Sequence, residues 1–288
     1  MGVMRVMTGG VGFGSPCYNH AGMENTNTTH KDTYDPAYQQ ALFDAEERHF
    51  WFVARNRLIS RVVRRCLNDL PQGSCVLELG CGNGNVLHAL VDAASAGRVT
   101  GMDLFIDGLH FARRRVDCGL VQADLHTPPF REAFALLGMF DVLEHMPDDH
   151  LVLTDLRQML ADDGRLLITV PAYPALWSYF DVAAKHARRY TKESLTAVLE
   201  ATGYEVQQVS YFMALTFPLV WLVRRLAKDE PLPEDDVDER VVDELRIVPV
   251  LNGIVAALLS LEARWVGAGH RLPFGTSLMA VARKKPRK

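Results

Sequence analysis

Residues 76–86 read VLELGCGNGNV: an apolar strand pattern holding one glutamate, three glycines within five positions, and then renewed apolar chain. A strand that ends in glycines and runs into a helix sets backbone amides beside a ligand with no side chains in the way. That device belongs to open α/β sheets, and the rest of the chain agrees with one. From residue 75 onward the short apolar runs CVLEL, RVTGMD, GLVQAD, FALLGMFD and RLLITV alternate with helical stretches at 84–95, 107–117 and 148–161. Such alternation predicts a mostly parallel sheet with helices on both faces. Thr191 can cap a helix over TKESLTAVLEATG and Gly203 can end it, before the strand pattern YEVQQVSYF. The last strand candidate is GTSLMAVARK at 275–284, and no internal repeat is visible. The chain therefore divides into a disordered leader (1–33), an N-terminal helical segment with an aromatic cluster (34–74), an α/β core (75–212), an insertion (213–272), and a last strand with a basic tail (273–288).

Two ligand classes use a glycine-ended strand. Dinucleotide sites want G-x-G-x-x-G, but the spacing here is G-x-G-x-G, and Glu78 inside the strand is a poor neighbour for a pyrophosphate. S-adenosylmethionine (SAM) removes the objection, being cationic at its amino group and its sulfonium and free of phosphate. Its ribose diol suits a carboxylate at the next strand end. Asp103 ends RVTGMD, 19 residues past Gly84, and Asp124 ends GLVQAD, where it can receive the adenine amino group.

With these residues in place the chain resembles the class I SAM-dependent methyltransferase superfamily over roughly 46–284. The resemblance is carried by VLELGCGNGNV, by the acid in GMDLF, by ADLHTPPF, and by FDVLEHMPDD after the fourth strand. EERHFWFVARNRLI, SYFDVAAKHARRYT and PFGTSLMAVARK together resemble, more narrowly, a bacterial subgroup of mostly unassigned substrate. It implies a Rossmann-like, doubly wound α/β sheet with an N-terminal helix and a helical cap inserted between the last two strands. It also implies that Glu78, Gly80, Gly82 and Gly84 cradle the methionine part of SAM, Asp103 the ribose, and Asp124 with Leu125 the adenine. Cys81, Leu104 and Phe140 are counted with that cofactor set, Cys81 as a small loop residue. Arg55 either pairs with the SAM carboxylate or is a solvated helix arginine.

The superfamily does not fix the acceptor side. Asp141, Glu144 and His145 follow the fourth strand with D-x-x-E-H spacing, which can gather a divalent metal, although structural or pocket-lining acids fit better and no metal is assigned. His145 is the candidate general base, since an imidazole of near-neutral pKa can take a proton from a hydroxyl or amine. His186 is the weaker alternative. HARRYT places Arg188, Arg189 and Tyr190 after the aromatic stretch holding Trp177 and Tyr179, and forked hydrogen bonds from the arginines suit an anionic substrate group. The competing reading has one arginine solvated and the other paired with Asp181 or Glu193.

Composition excludes little but helps. A net charge of −4 gives no reason to expect nucleic acid. Five cysteines with no C-x-x-C pair argue for reduced thiols in a cytoplasm. The N-terminus lacks a secretory apolar region, and Val6 stands where myristoylation wants Ser or Thr. In the insertion, 211–223 and 247–261 are charge-free but shorter than the roughly 20 residues of a spanning helix. Cap helices over the site, or a homodimer surface, explain them best; a peripheral membrane contact or a lipid-like substrate is the sharper reading. The expected protein is a cytoplasmic SAM-dependent methyltransferase acting on a small molecule with an apolar portion. Its rivals are a nicotinamide-dependent oxidoreductase and a non-catalytic protein of the same fold.

Overall fold

A computed structural model describes residues 5–7, 36–94, 98–130, 134–226 and 248–285. Two helices come first, α1 (Pro36–Glu46) and α2 (Phe50–Asn68), followed by the alternating core. That core runs β2 (Val76–Leu79), α3 (Asn85–Ala94), β3 (Val99–Asp103), α4 (Ile106–Arg115), β4 (Gly119–Gln122), β5 (Phe134–Phe140), α5 (Asp149–Met159) and β6 (Leu160–Pro171). After the short α6 (Tyr179–Ala183) come α7 (Lys192–Ala201), β7 (Tyr204–Phe212), α8 (Phe217–Leu226), α9 (Pro249–Gly267) and β8 (Ser277–Lys284).

The sheet order is β1-β4-β3-β2-β5-β6-β8-β7, where β1 is Arg5–Met7. Strands β4, β3, β2, β5 and β6 are parallel, β8 lies antiparallel between β6 and β7, and β1 pairs antiparallel with β4. That edge strand corrects the reading of 1–33 as wholly disordered; the rest of the leader lies outside the described residues. A three-residue run has too little pattern to be seen in sequence.

Each face of the sheet has its own core. Leu153, Leu156, Leu195 and Leu199 from α5 and α7 pack with Leu77, Leu79 and Tyr204 on one face. On the other, Leu58, Ile59 and Val62 of α2 join Leu87 and Leu90 of α3 and Leu109 of α4. The central strand β2 is buried along its whole length, as a strand covered on both faces must be. Local signals end the helices where expected: Thr191 accepts from the Ser194 amide at 3.2 Å, and Gly203 stops α7 at φ +87°. β6 is longer than the RLLITV run because α5 stops at Met159 and Leu160 already pairs with Phe134.

The insertion is helical in its described parts, and the acidic stretch PLPEDDVDERVVDEL at 231–245 lies outside the described residues. α9 runs alongside α2, and its Glu262 accepts from the Met213 and Ala214 amides just past the end of β7. The Phe50 amide donates to Asn252 Oδ1 at 2.8 Å, Arg57 reaches Ser260, and Arg65 Nη1 donates to the Gly267 carbonyl at 2.7 Å. These contacts advance in step, so the two helices are parallel. Leu259, Ala263 and Val266 face inward, while Val250, Leu251, Ile254, Leu258, Leu261 and Trp265 are exposed. The helix also exceeds the charge-free run, because it continues through Glu262 and Arg264. Its window Val250–Gly267 has a mean hydropathy of 1.3, so by length and composition alone it is long enough to cross a membrane. Among the described residues Cys66, Cys81 and Cys118 are free, as reduced thiols require, whereas Cys75 is disulfide-bonded, against that expectation.

Candidate functional site

The glycine loop is held by main-chain bonds. The Gly80 and Cys81 amides donate to the Met102 carbonyl at 2.8 and 3.0 Å, and the Gly84 amide to the Cys81 carbonyl at 2.8 Å. Gly80, Gly82 and Gly84 all have positive φ, which side chains disfavour. Their surroundings differ. A Cβ on Gly80 would stand 2.6 Å from Val142 Cγ2, and one on Gly84 would stand 2.9 Å from Ala112 Cα. A Cβ on Gly82 would meet nothing within 4 Å, so the loop opens a cradle there. Gly84→Ala is therefore expected to destabilise the fold by about 2 kcal/mol or more, combining left-handed strain with a backbone clash. Gly82→Ala should cost the fold about 1 kcal/mol and act mainly on ligand binding. Thermal melts with and without S-adenosylhomocysteine separate the two effects.

Glu78 sits between Gly101 on β3 and Gly138 on β5, and its Oε2 is buried with no partner among the described residues. Burial pushes its carboxyl well above the ordinary value. Asp103 Oδ2 accepts the Gly82 amide at 2.7 Å and Oδ1 accepts the Phe105 amide at 2.8 Å. Burial raises the Asp103 pKa, and those two amides work against the rise. Asp124 closes its own turn by accepting the His126 amide at 2.9 Å. Leu104 is 40% exposed, Leu125 is half-buried against the core, and Phe140 is buried with its ring filling the space beside Gly138. The Cys81 thiol turns into the core, where burial pushes its pKa well up, so only its backbone belongs to the loop surface.

α1 and α2 strap the loop from the N-terminal side. Arg55 is neither solvated nor free: its Nη1 donates to Asp141 Oδ2 at 2.7 Å, its Nη2 to Asn85 Oδ1 at 3.3 Å, and it stacks 4.6 Å from the Trp51 ring. Asn56 Nδ2 also binds Asn85, donating to its Oδ1 at 2.8 Å. Below them, buried Arg115 donates to Glu46 Oε2 at 2.6 Å, to the Asn83 carbonyl at 3.2 Å and to the Phe43 carbonyl at 2.5 Å. The sequence reading missed Glu46, Asn56, Asn83, Asn85 and Arg115. Polar residues in helices carry no local mark of a partner far along the chain.

Beyond β5 the acceptor-side residues divide into two groups. Glu144, His145 and His186 meet, with ligand-type atoms within 4.8 Å of one another and the two imidazoles edge-on at 4.7 Å. Burial, with His186 alongside, pulls the His145 pKa down to about 4, and burial pushes that of Glu144 well up. The arginines, by contrast, already have partners. Arg189 makes its forked pair with Asp181 at 2.6 and 2.9 Å, where an anionic substrate group was expected. Burial opposes ionisation of Asp181, but bonds from His186 and Arg189 hold its pKa down to about 2. Arg188 pairs with Asp149 at 2.8 Å, and Tyr190, 2% exposed, donates to the same carboxylate at 2.8 Å. Arg188, Arg189 and Tyr190 thus correct the substrate-binding expectation, because acids within the fold satisfy them. Trp177 remains 41% exposed, and Tyr179 lies beneath Arg224 at 5.3 Å.

An aromatic wall was not foreseen. Tyr173 stacks on Tyr211 at 4.9 Å and meets Phe217, which in turn meets Phe274. Its four members come from the ends of β6 and β7, the start of α8 and the approach to β8. Tyr173, Asp141 and Lys185 also hold positive φ without being glycine. Such strain costs about 1–3 kcal/mol each and gathers where function demands a geometry.

Comparison with known proteins agrees with this arrangement. A family model described as a methyltransferase domain matches residues 50–209. An uncharacterized 37.1 kDa protein in transposon TN4556 of Streptomyces fradiae is 33% identical over 56% of this chain and 49% of its own. A Mycolicibacterium smegmatis protein named "Probable S-adenosylmethionine-dependent methyltransferase" is 27% identical over 56% of this chain and 62% of its own. The chain thus spans about half to three-fifths of the length of these curated relatives. A geranyl diphosphate methyltransferase solved with SAM superposes with a TM-score of 0.53 at 14% identity, covering 81% of this chain and 90% of that one, which speaks for the fold alone. The family match, the sheet order and the glycine loop concur: the chain belongs to the methyltransferase domain family, on the Rossmann-like fold of SAM-dependent methyltransferases.

Proposed function

We propose that the protein is a SAM-dependent methyltransferase acting on a small molecule with an apolar portion. One observation carries the reading: an open cradle at Gly82 lies next to a buried, unpartnered carboxylate at Glu78 and an amide-anchored carboxylate at Asp103. These residues fit SAM, whose amino group suits Glu78 and whose ribose diol suits Asp103. A pyrophosphate would find a buried acid and, among the described residues, no compensating cation in the same place, which disfavours a nicotinamide cofactor. When bound, SAM supplies an electrophilic methyl group on a sulfonium. The chain's own part is alignment and exclusion of water, with the strap at Arg55 and Asp141 on one side and the aromatic wall at Tyr173 on the other. His145 and His186 belong to the acceptor side. The wall, the exposed Trp177 and α8 support an apolar acceptor.

Calorimetry tests the cofactor, with SAM and S-adenosylhomocysteine expected to bind and NAD not. Binding is also expected to release a proton. Burial raises the Glu78 carboxyl, so it is protonated in the free site over a window reaching above the ordinary carboxylate range, and a cationic amino group beside it favours the ionised form. Affinity for SAM should therefore rise with pH up to the free-protein value and level off above it. Titrations in two buffers of different ionisation enthalpy read the proton, and Glu78→Gln should remove it. Tight NAD binding with no response to SAM would overturn the assignment.

A further inference from the structure

We propose that Glu144, His145 and His186 form a binding site for a divalent transition-metal cation. The ligand set is drawn from two separate segments, the short turn Leu143–His145 after β5 and the loop before Tyr190. It is not the D-x-x-E-H run of the sequence, because Asp141 is taken by Arg55 at 2.7 Å and His186 stands in its place.

Three features point to a cation. First, Glu144 is 1% exposed and its Oε2 has no hydrogen-bond partner among the described residues, while Oε1 lies 3.9 Å from His186 Nε2, too far to bond and near enough to share an ion. A buried carboxylate left so is costly unless something positive completes it. Second, His186 is oriented from behind: its Nδ1 lies 2.9 Å from Asp181 Oδ1, which assigns the proton to Nδ1 and turns the Nε2 lone pair toward Glu144. Asp181 is itself fixed by Arg189 and by the Ser178 amide at 2.8 Å. Metal-binding histidines are regularly held in this way, by a carboxylate or a backbone carbonyl on the far nitrogen. Third, Lys185 adopts a left-handed φ of 55° next to His186, a strained joint in the segment that presents the second imidazole.

The donor set selects the ion. Two imidazoles and one carboxylate suit zinc, iron, cobalt, nickel or manganese, whereas magnesium and calcium prefer all-oxygen shells. Three protein ligands also leave a coordination position for a water or an acceptor oxygen. The site stands on its side chains alone; only its use in methyl transfer rests on the function proposed above.

The test uses the full-length protein, stripped with a chelator and reloaded. Zn2+ titration should give one ion per chain, and Co2+ should give a visible absorption spectrum. Glu144→Gln and His186→Gln should each abolish both. Asp181→Asn keeps every ligand but loses the carboxylate behind His186, and should weaken zinc binding about 10- to 100-fold. S-adenosylhomocysteine affinity, measured in parallel, reports separately on the fold and the cofactor reading. Zinc bound without S-adenosylhomocysteine would support the metal site and sink only the methyltransferase reading. Absence of stoichiometric metal in the reloaded wild-type protein overturns the site, as does unchanged zinc affinity in folded Glu144→Gln and His186→Gln. If those variants do not fold, X-ray absorption at the cobalt edge of the wild type decides. A shell with two imidazoles supports the assignment, and an all-oxygen shell overturns it.

Discussion

Replacing Asp103 with alanine is expected to weaken S-adenosylhomocysteine binding by about one to two orders of magnitude, the loss that accompanies two charge-assisted hydrogen bonds. The structure adds a second effect. Each Asp103 oxygen already accepts one backbone amide, from Gly82 and from Phe105, so the side chain sets the loop before any ligand arrives. Alanine would strand both amides and should lower the melting temperature of the ligand-free protein as well. Asp103→Asn keeps the size and one acceptor oxygen, and should fall between alanine and wild type in both measurements. Calorimetry with parallel thermal melts distinguishes them. An alanine variant that binds as tightly as wild type would remove Asp103 from the cofactor site.

Arg115→Ala should destabilise the native state by about 3–5 kcal/mol in urea unfolding, the usual consequence of removing one partner of a buried pair. Arg115 joins three things at once: Glu46 at the end of α1, the Asn83 carbonyl of the glycine loop, and the Phe43 ring, 3.7 Å beneath its guanidinium. The effect should depend on pH, with a definite sign. Burial raises the Glu46 pKa even with Arg115 present, and losing the arginine raises it further. A carboxyl raised in the folded state favours folding at low pH, and that contribution is lost as pH rises through the folded value. The variant should therefore suffer least in acid and most near and above neutrality. A penalty independent of pH would mean that Glu46 finds another partner.

Local patterns announced most of the sheet. β7 matches YEVQQVSYF residue for residue, and the four parallel strands from β2 to β5 start within one residue of their apolar runs. Strand and helix periods are written in neighbouring residues, as are the glycines and the acids at strand ends. Partners distant in the chain are not. HARRYT looked like an open cationic patch because nothing in the sequence says that Asp181 folds back under Arg189, or that Asp149 meets both Arg188 and Tyr190. Arg55 illustrates the same limit, since its partner Asp141 is supplied by a different strand end. The course of α9 along α2 was hidden for another reason. A charge-free run shows that a helix needs cover, without saying which neighbour provides it.

Strand β8 has a consequence for the order of assembly. It is the last strand in the chain, yet it fills the gap between β6 and β7, bonded to both. During synthesis the five parallel strands can associate as they emerge, but β7 has no place to dock until residues 277–284 have left the ribosome. Until then the free side of β6 and both sides of β7 offer unpaired amides and carbonyls to any extended peptide nearby. A nascent chain stalled before residue 277 should accordingly expose Val209 and Tyr211 to protease and to chaperones, although most of its sheet has formed. The same geometry makes a deletion of those eight residues far more damaging than trimming one edge strand, because it would split the sheet from within.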